Sequence, residues 1–206
     1  MALTHRRLLN TSLCLTLLLL LPTLAEARLG DRLAEMKGTD FFKFFNLKET
    51  GRGALSGKPY TQVTFRPGAG NFRELVEVRV TVDREDRILG MQLSLKRSFV
   101  DDQFNGIFAR DLAKSMLRAA IPAANEAAIN DLANEIEFPK DMPGYDVART
   151  KPDPKLPSQP SPGYQVFMGQ RKSFVQTLSL ARVSLENIEG AGGASLLISV
   201  TSKALK

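Results

Sequence analysis

The chain has 206 residues, a net charge of +6, and only one cysteine and one histidine. Cys14 and His5 both lie within the first 27 residues, which have the pattern of a segment that is removed from the finished protein. The rest of the chain has no Cys, His or Trp, which excludes disulfides, Ser-His-Asp and Cys-His catalysis, and zinc sites built from Cys or His.

The first 27 residues have the three parts of a secretory signal peptide. Arg6 and Arg7 supply the positive charge, residues 13–21 form the apolar core, and Ala25-Glu26-Ala27 matches the small-x-small rule for cleavage. We therefore predict cleavage after Ala27 and a periplasmic or secreted protein. Since the removed segment carries two Arg and one Glu, the remaining residues 28–206 keep a net charge of +5.

Three alternatives for this segment fit less well. A retained membrane anchor needs about 20 predominantly apolar residues, and residues 8–24 provide only 17, interrupted by Asn10, Thr11 and Ser12. The Arg6-Arg7 pair resembles a twin-arginine signal, but the flanking residues match poorly and the core is very rich in leucine. A lipoprotein signal needs its cysteine at the cleavage point, and Cys14 precedes the apolar core. The general secretion route is favoured.

The first residues after the cleavage point predict short helices and then a loop. Residues 28–37 have a helical pattern that Gly38 ends, and four of the twelve Phe follow within residues 41–45. This Phe cluster is either a membrane-contacting or partner-binding patch, if exposed, or part of the core, which the spread of adjacent Phe around a helix axis favours. Three glycines in residues 51–57 predict a loop.

Three strands are predicted next, at residues 60–66, 75–82 and 88–96. The second alternates strictly, with Val76, Val78, Val80 and Val82 on one face, which is the pattern of a half-buried strand. In the third, Leu89, Met91, Leu93 and Leu95 are assigned to the buried face. A charged turn at residues 83–87 separates these two strands, so we expect them to pair as an antiparallel hairpin.

Two helices follow the strands. Ser98 is the predicted N-cap of the first, with Asp101 as a weak capping-box partner, and apolar residues recur at helical spacing through residues 99–121. Pro122 suits the first turn of the second helix, which is predicted at residues 123–136. The apolar arc of the first helix covers about half of its girth, so we expect it to be well buried.

Residues 139–162 contain seven of the eleven prolines. Neither a helix nor a central strand tolerates this density of proline, so an extended crossover on the surface is predicted. Strands are then predicted at residues 164–168, 174–188 and 195–201, with turns at residues 169–171 and 190–193.

These elements predict a single α+β domain at residues 28–206, with the Pro-rich crossover at 139–162 inside it. Its sheet is mostly antiparallel and has about six strands in the order βββ-αα-βββ, with the two central helices packed on one face. A chain of this length can bury a sufficient core without disulfides.

Five basic residues are the candidate contact for an anion or a partner: Lys96, Arg97, Arg110, Lys114 and Arg118. The last three fall within an arc of about 80° on the first long helix, which suits an anionic polymer, a phospholipid or an acidic partner. A solvated helix face is the plainer interpretation, since Asp111 can pair with Lys114. Nucleic acid is not expected, because no basic-aromatic alternation accompanies the stripe.

Catalytic, metal and cofactor sites are not predicted. The adjacent acidic pairs, Glu85-Asp86 and Asp101-Asp102, suit turns and caps better than a pair of catalytic carboxylates set across a cleft. No calcium-loop pattern is present in the sequence, and residues 190–193 precede a strand where a phosphate loop would precede a helix.

The sequence therefore favours an exported, non-enzymatic binding or assembly protein whose partner is another envelope or secreted protein. The alternative is a carrier of a lipid or other apolar small ligand, held in a cavity between the sheet and the helices. A binding or assembly protein would use its outer surface, whereas a carrier would bind its ligand in an internal cavity.

Overall fold

The computed structural model describes residues 28–68, 70–121, 125–136 and 161–203. The predicted signal segment 1–27, Pro122 and the crossover up to residue 160 lie outside the described residues. The helices are α1 (Leu33–Lys37), α2 (Asp40–Phe44), α3 (Arg97–Val100), α4 (Asn105–Ala120), α5 (Glu126–Glu135) and α6 (Pro162–Phe167). The strands are β1 (Leu47–Ala54), β2 (Thr61–Pro67), β3 (Val76–Val82), β4 (Ile88–Lys96), β5 (Ser173–Thr177), β6 (Ala181–Ile188) and β7 (Ser195–Ser202).

The strands form one sheet in the order β1-β2-β3-β4-β7-β6-β5, and every neighbouring pair is antiparallel. The α+β class and the antiparallel sheet are confirmed. The described sheet has seven strands rather than about six. One of the additional strands is β1, whose last residues fall in the loop predicted at residues 51–57. The strand lies at the sheet edge with every residue after Leu47 exposed, so its sequence carries no apolar alternation.

The β3–β4 hairpin is confirmed, with one change in which side chains are buried. The register shifts between Thr81 and Val82, so that Val82 pairs with Ile88 while Thr81 pairs with Gly90. This bulge places Leu89 outside the ladder. Ile88 is therefore buried and Leu89 is only half-buried, the reverse of what strict alternation predicts.

The chain makes a turn within the predicted long helix. α3 ends at Val100, and Asp102 then accepts hydrogen bonds from the backbone N–H groups of Phe104 and Asn105, at 3.0 and 2.7 Å. The predicted cap is wrong, because Ser98 lies inside α3 and the carboxylate of Asp101 instead binds the guanidinium of Arg97.

Two predictions for residues 164–188 are also wrong. The strand expected at residues 164–168 is α6, which begins at Pro162 and is capped by Ser161 Oγ, 3.2 Å from the backbone N of Tyr164. The single strand expected at residues 174–188 is the β5–β6 hairpin, closed by a hydrogen bond from Leu178 N to Ala181 O at 2.8 Å. β7 confirms the last predicted strand.

Helices cover one face of this sheet. α4 packs against β4 and β7, α6 against β5 and β6, and α2 against β1. Alternate residues of the central strands are 0–2 % exposed and join the helices in one hydrophobic cluster. The other face carries short polar and charged side chains, such as the row formed by Thr64, Arg79, Gln92, Ser199 and Ser184 on adjacent strands.

Gly106, in the first turn of α4, is required by the close approach of α3. A Cβ at this position would lie 2.7 Å from the carbonyl oxygen of Val100, so the backbone of one helix would have to move. We expect Gly106→Ala to lower the free energy of unfolding by about 1–3 kcal/mol, as overpacking does. Gly190→Ala is the control, because nothing lies within 4 Å of its Cβ position; equal losses in chemical denaturation would contradict the explanation.

Candidate functional site

A groove of about 690 Å³ lies between α2 and α4. Its lining residues are Asp40, Phe41, Lys43, Phe44, Phe45, Asp111, Lys114, Ser115 and Arg118. α2 is a five-residue helix whose C-terminal end leads directly into β1, and α4 packs across the centre of the sheet. The groove therefore lies where the short helices at the β1 edge meet the long central helix.

Packed aromatic rings form the floor of the groove. Phe41 contacts Phe45 edge-on with ring centroids 5.6 Å apart, and Phe45 contacts Phe108 of α4 at 5.3 Å. Phe42 turns to the sheet and contacts Phe65 of β2 at 4.9 Å. Edge-on pairs of this kind are stabilised beyond their area of burial, so these rings pack α2 firmly against both α4 and the sheet. Core packing is thus observed for three of the four Phe of the cluster.

Phe44 is the exception, since its side chain is 75 % exposed. At 100° per residue it lies outside the face that Phe41 and Phe45 share, and its ring stands edge-on to Phe45 at 5.0 Å. Phe104 and Ile107 of the α3–α4 region are 81 % and 41 % exposed. Their spacing places them on the same face of α4 as Asp111 and Arg118, which line the groove.

We call the lining residues the aromatic groove, and we include Phe104 and Ile107, which do not line it but continue the same helical face toward the start of α4. Its rim carries Lys43, Lys114 and Arg118 against Asp40 and Asp111. Basic charge is therefore in excess by one, in keeping with the +6 of the whole chain.

The structure brings together only two of the five predicted contact residues in this groove. Lys114 and Arg118 line it, whereas Lys96 donates a hydrogen bond to the Gly192 carbonyl oxygen at 2.6 Å, in the β6–β7 turn. Arg97 is occupied by Asp101, by the carbonyl oxygen of Phe167 at 2.7 Å and by Asn187 Oδ1 at 3.4 Å. Lys96 and Arg97 thus tie the sheet to neighbouring segments.

Arg110 is buried, with 5 % of its surface exposed. Its guanidinium carbon lies 5.0 Å from the centre of the Phe167 ring, and Nη2 lies 3.3 Å from Met168 Sδ. Burial lowers the pKa of Arg110 to about 10, against a smaller opposing effect of Tyr164. Helical spacing alone could have indicated this burial. Arg110 precedes the buried Ala113 and Leu117 by three and seven residues and therefore lies on the same side of the helix.

Among the described residues, two carboxyl groups have a shifted pKa, and both are held in the ionised form. The hydrogen bond from Lys37 is the main cause of the lowered pKa of Glu49. At Glu77, partial burial acts to raise the pKa, but the hydrogen bond from Arg66 and the charge of Arg79 outweigh it, and the pKa is lowered. A general acid requires the opposite shift, so these two carboxylates are structural ion-pair partners.

The lowered pKa of Glu77 should make the free energy of unfolding depend on pH. A lowered pKa in the folded state stabilises the fold at neutral pH, and this stabilisation is lost as the pH falls through the folded-state pKa. We expect Glu77→Gln to cost about 1 kcal/mol at pH 7, because the ion pairs are partly exposed. Denaturation at several pH values checks this: the difference from the parent should shrink below about pH 4, and a constant difference would contradict it.

The described residues contain no group of three or more His, Cys, Asp or Glu side chains that could hold a metal ion. Within the same residues, no helix is long and apolar enough to cross a membrane. No family model, no curated protein and no solved structure matches the chain. The candidate function therefore rests on the sequence and on the geometry and chemistry of the described residues, above all those of the aromatic groove.

Proposed function

We propose that the chain is an exported, non-enzymatic binding or assembly protein that docks another envelope or secreted protein in the aromatic groove. The observation that carries this proposal is the exposure of Phe44, at 75 %, beside an otherwise packed Phe cluster. Phe104, at 81 % exposure, lies on the helical face that Asp111 and Arg118 of the groove share. Full burial of an aromatic side chain is favourable by about 1.5–3 kcal/mol. Covering these two rings would therefore lower the free energy of the complex with a partner.

The groove favours one kind of partner. Its aromatic wall suits a helical segment with apolar residues on one face, which is a common way to fill a groove between elements. The excess of basic charge on the rim, from Lys43, Lys114 and Arg118, favours acidic residues flanking that apolar face. The groove is bounded by α4 and by the packed Phe floor, so its surface is formed in the chain without a partner.

The packing beneath α4 favours a binding site on the surface over a ligand cavity between the helices and the sheet. Leu112, Met116 and Leu117 of α4 are 0–1 % exposed and belong to the same cluster as Leu93 of β4 and Ile198 of β7. Side chains thus fill the described part of the sheet–helix interface. A cavity for an apolar small ligand, the alternative function, has no comparable support among these residues.

Export with cleavage is tested by measuring the intact mass of the protein isolated from the cells that naturally make it. We expect the finished chain to begin at Arg28, so that intact mass and N-terminal sequencing both show the loss of residues 1–27. Replacing Ala25 and Ala27 by Leu removes the small residues that the peptidase requires and should leave the precursor uncut. Recovery of the unsubstituted protein with residues 1–27 still attached would contradict export by cleavage.

Docking is tested by comparing variants in capture from an envelope extract. Truncation of a central interface aromatic costs about 2 kcal/mol or more, which is roughly 30-fold in affinity, so Phe44→Ser with Phe104→Ser should lose the captured protein. Leu180→Ser is the matched control, because Leu180 is 51 % exposed in the β5–β6 turn at the opposite edge of the sheet. Identical capture by all three proteins, or no capture by any, would overturn the proposal.

A further inference from the structure

The two edges of the sheet are protected to different degrees. β1 contains a bulge between Glu49 and Gly51, and Glu49 binds both Lys37 and Arg52 at distances of 2.6 and 3.2 Å. Bulges and charges of this kind prevent a second strand from pairing with an edge. β5, at residues Ser173–Thr177, has an unbroken register with β6 and contains no charged residue and no proline.

The outer edge of β5 presents its backbone groups in a regular row. Lys172 O accepts from Asn187 N and Leu178 N donates to Ala181 O, both at 2.8 Å, so the even-numbered residues direct their backbone groups to β6. Alternate residues of a strand point to opposite edges, and the N–H and C=O groups of Ser173, Val175 and Thr177 therefore face outward. Arg171 Nε donates to Ser173 O at 2.9 Å from outside the ladder, so this carbonyl group faces outward. The exposed Arg171 side chain must release Ser173 O when another strand pairs with β5.

We propose that β5 pairs antiparallel with β5 of a second copy of the chain, about a two-fold axis through Val175. Two sheets then join into one continuous sheet across the dimer. This surface is separate from the aromatic groove, which lies at the β1 end, so the proposal stands independently of the docking function.

The sequence of β5 is complementary to itself in this register. Val175 meets Val175 of the copy, while Ser173 meets Thr177 and Phe174 meets Gln176. Two β-branched residues facing each other stabilise a strand pair, whereas like charges facing each other destabilise it. The antiparallel register sets Lys172 against Leu178, and a parallel register would instead set Lys172 against Lys172. The exposed side chain of Val175, at 43 %, becomes covered at the centre of the contact.

Disulfide trapping tests both the contact and its register, in the full chain with Cys14→Ser so that the introduced cysteine is the only one. Across a hydrogen-bonded antiparallel pair the Cα atoms are about 5.5 Å apart, within the span of about 4.4–6.8 Å that a disulfide allows. Val175→Cys should therefore form a covalent dimer under mild oxidation. Ser173→Cys should not, because its counterpart lies four residues along the partner strand, about 13 Å away.

Reversible association is the second measurement. Sedimentation velocity over a roughly hundredfold range of concentration should show a growing dimer fraction, as mass action requires. Val175→Lys, which opposes two charges at the axis, should weaken the dimer about tenfold, while Val175→Thr should preserve it. A monomer at every concentration, or equal trapping of Val175→Cys and Ser173→Cys, would overturn the proposal.

Discussion

Replacing Phe99 by alanine is expected to lower the free energy of unfolding by about 3–5 kcal/mol. Phe99 lies in α3, three residues after the end of β4, and is 1 % exposed. Its ring lies 5.2 Å from Phe72 and 6.2 Å from Phe108, centre to centre. Alanine would leave a cavity between the sheet, α3 and α4, and the short helix α3 has little freedom to close it. Chemical denaturation monitored by circular dichroism measures the loss.

Phe104→Ala is the matched control, since the same side chain is removed five residues later at 81 % exposure. Its cost should stay within about 0.5 kcal/mol, as for most surface substitutions. The comparison separates an aromatic ring that stabilises the fold from one that is left on the surface. Similar losses at the two positions would show that Phe104 belongs to the core, which would remove it from the aromatic groove.

Arg97→Ala should have the second largest effect, about 2–3 kcal/mol. The Arg97 side chain is 14 % exposed and connects α3 with the end of α6, through the carbonyl oxygen of Phe167, and with Asn187 of β6. Truncation leaves that carbonyl oxygen without a charged donor in a partly buried position, and hydrogen bonds to charged groups contribute about 1.5–3 kcal/mol. The lost ion pair with Asp101 adds little, because Asp101 is exposed.

Two variants control this prediction. Arg97→Lys retains the charge but loses the forked geometry, so it should recover only part of the stability. Arg118→Ala removes an exposed arginine from α4 and should change stability by less than about 0.5 kcal/mol. Equal effects of Arg97→Ala and Arg118→Ala would mean that Arg97 does not connect α6 to the sheet.

The central strands could be predicted because burial on one face imposes alternation on their sequence. Val76, Val78, Val80 and Val82 are all buried, as the period of two predicts. β1 gave no such signal, since a strand exposed on both faces is under no apolar constraint. The same reasoning explains Leu89, because a bulge changes the face of a side chain without any mark in the hydrophobic pattern.

Helix ends were harder to predict than helix faces. The buried face of α4 followed from the spacing of its apolar residues. The turn before it depends on Asp102, but Ser98 and Asp101 are also residue types that cap helices, so the sequence did not show which of the three does so. α6 has only six residues. A segment this short has fewer than two helical turns, so the spacing of its apolar residues does not distinguish a helix from a strand. Its start depends on the pair Ser161-Pro162, which suits an N-cap and first turn.

The candidate site was visible in the sequence only in parts. The Phe cluster at residues 41–45 and the basic residues of α4 were each recognised, but their meeting depends on how α2 packs against α4. Local spacing cannot show such a long-range contact. Nor could it separate Phe44 from its neighbours, because which side of a five-residue helix is buried depends on the element that covers it.

Site-specific photo-crosslinking in living cells tests the docking surface most directly. A photoreactive amino acid at position 44 or 104 should give one adduct of the same size, with a single envelope or secreted protein. The same amino acid in place of Arg182, which is exposed on the face of the sheet that the helices leave uncovered, should not give that adduct. The account is contradicted if positions 44 and 104 give no adduct, or if all three positions give the same set of adducts.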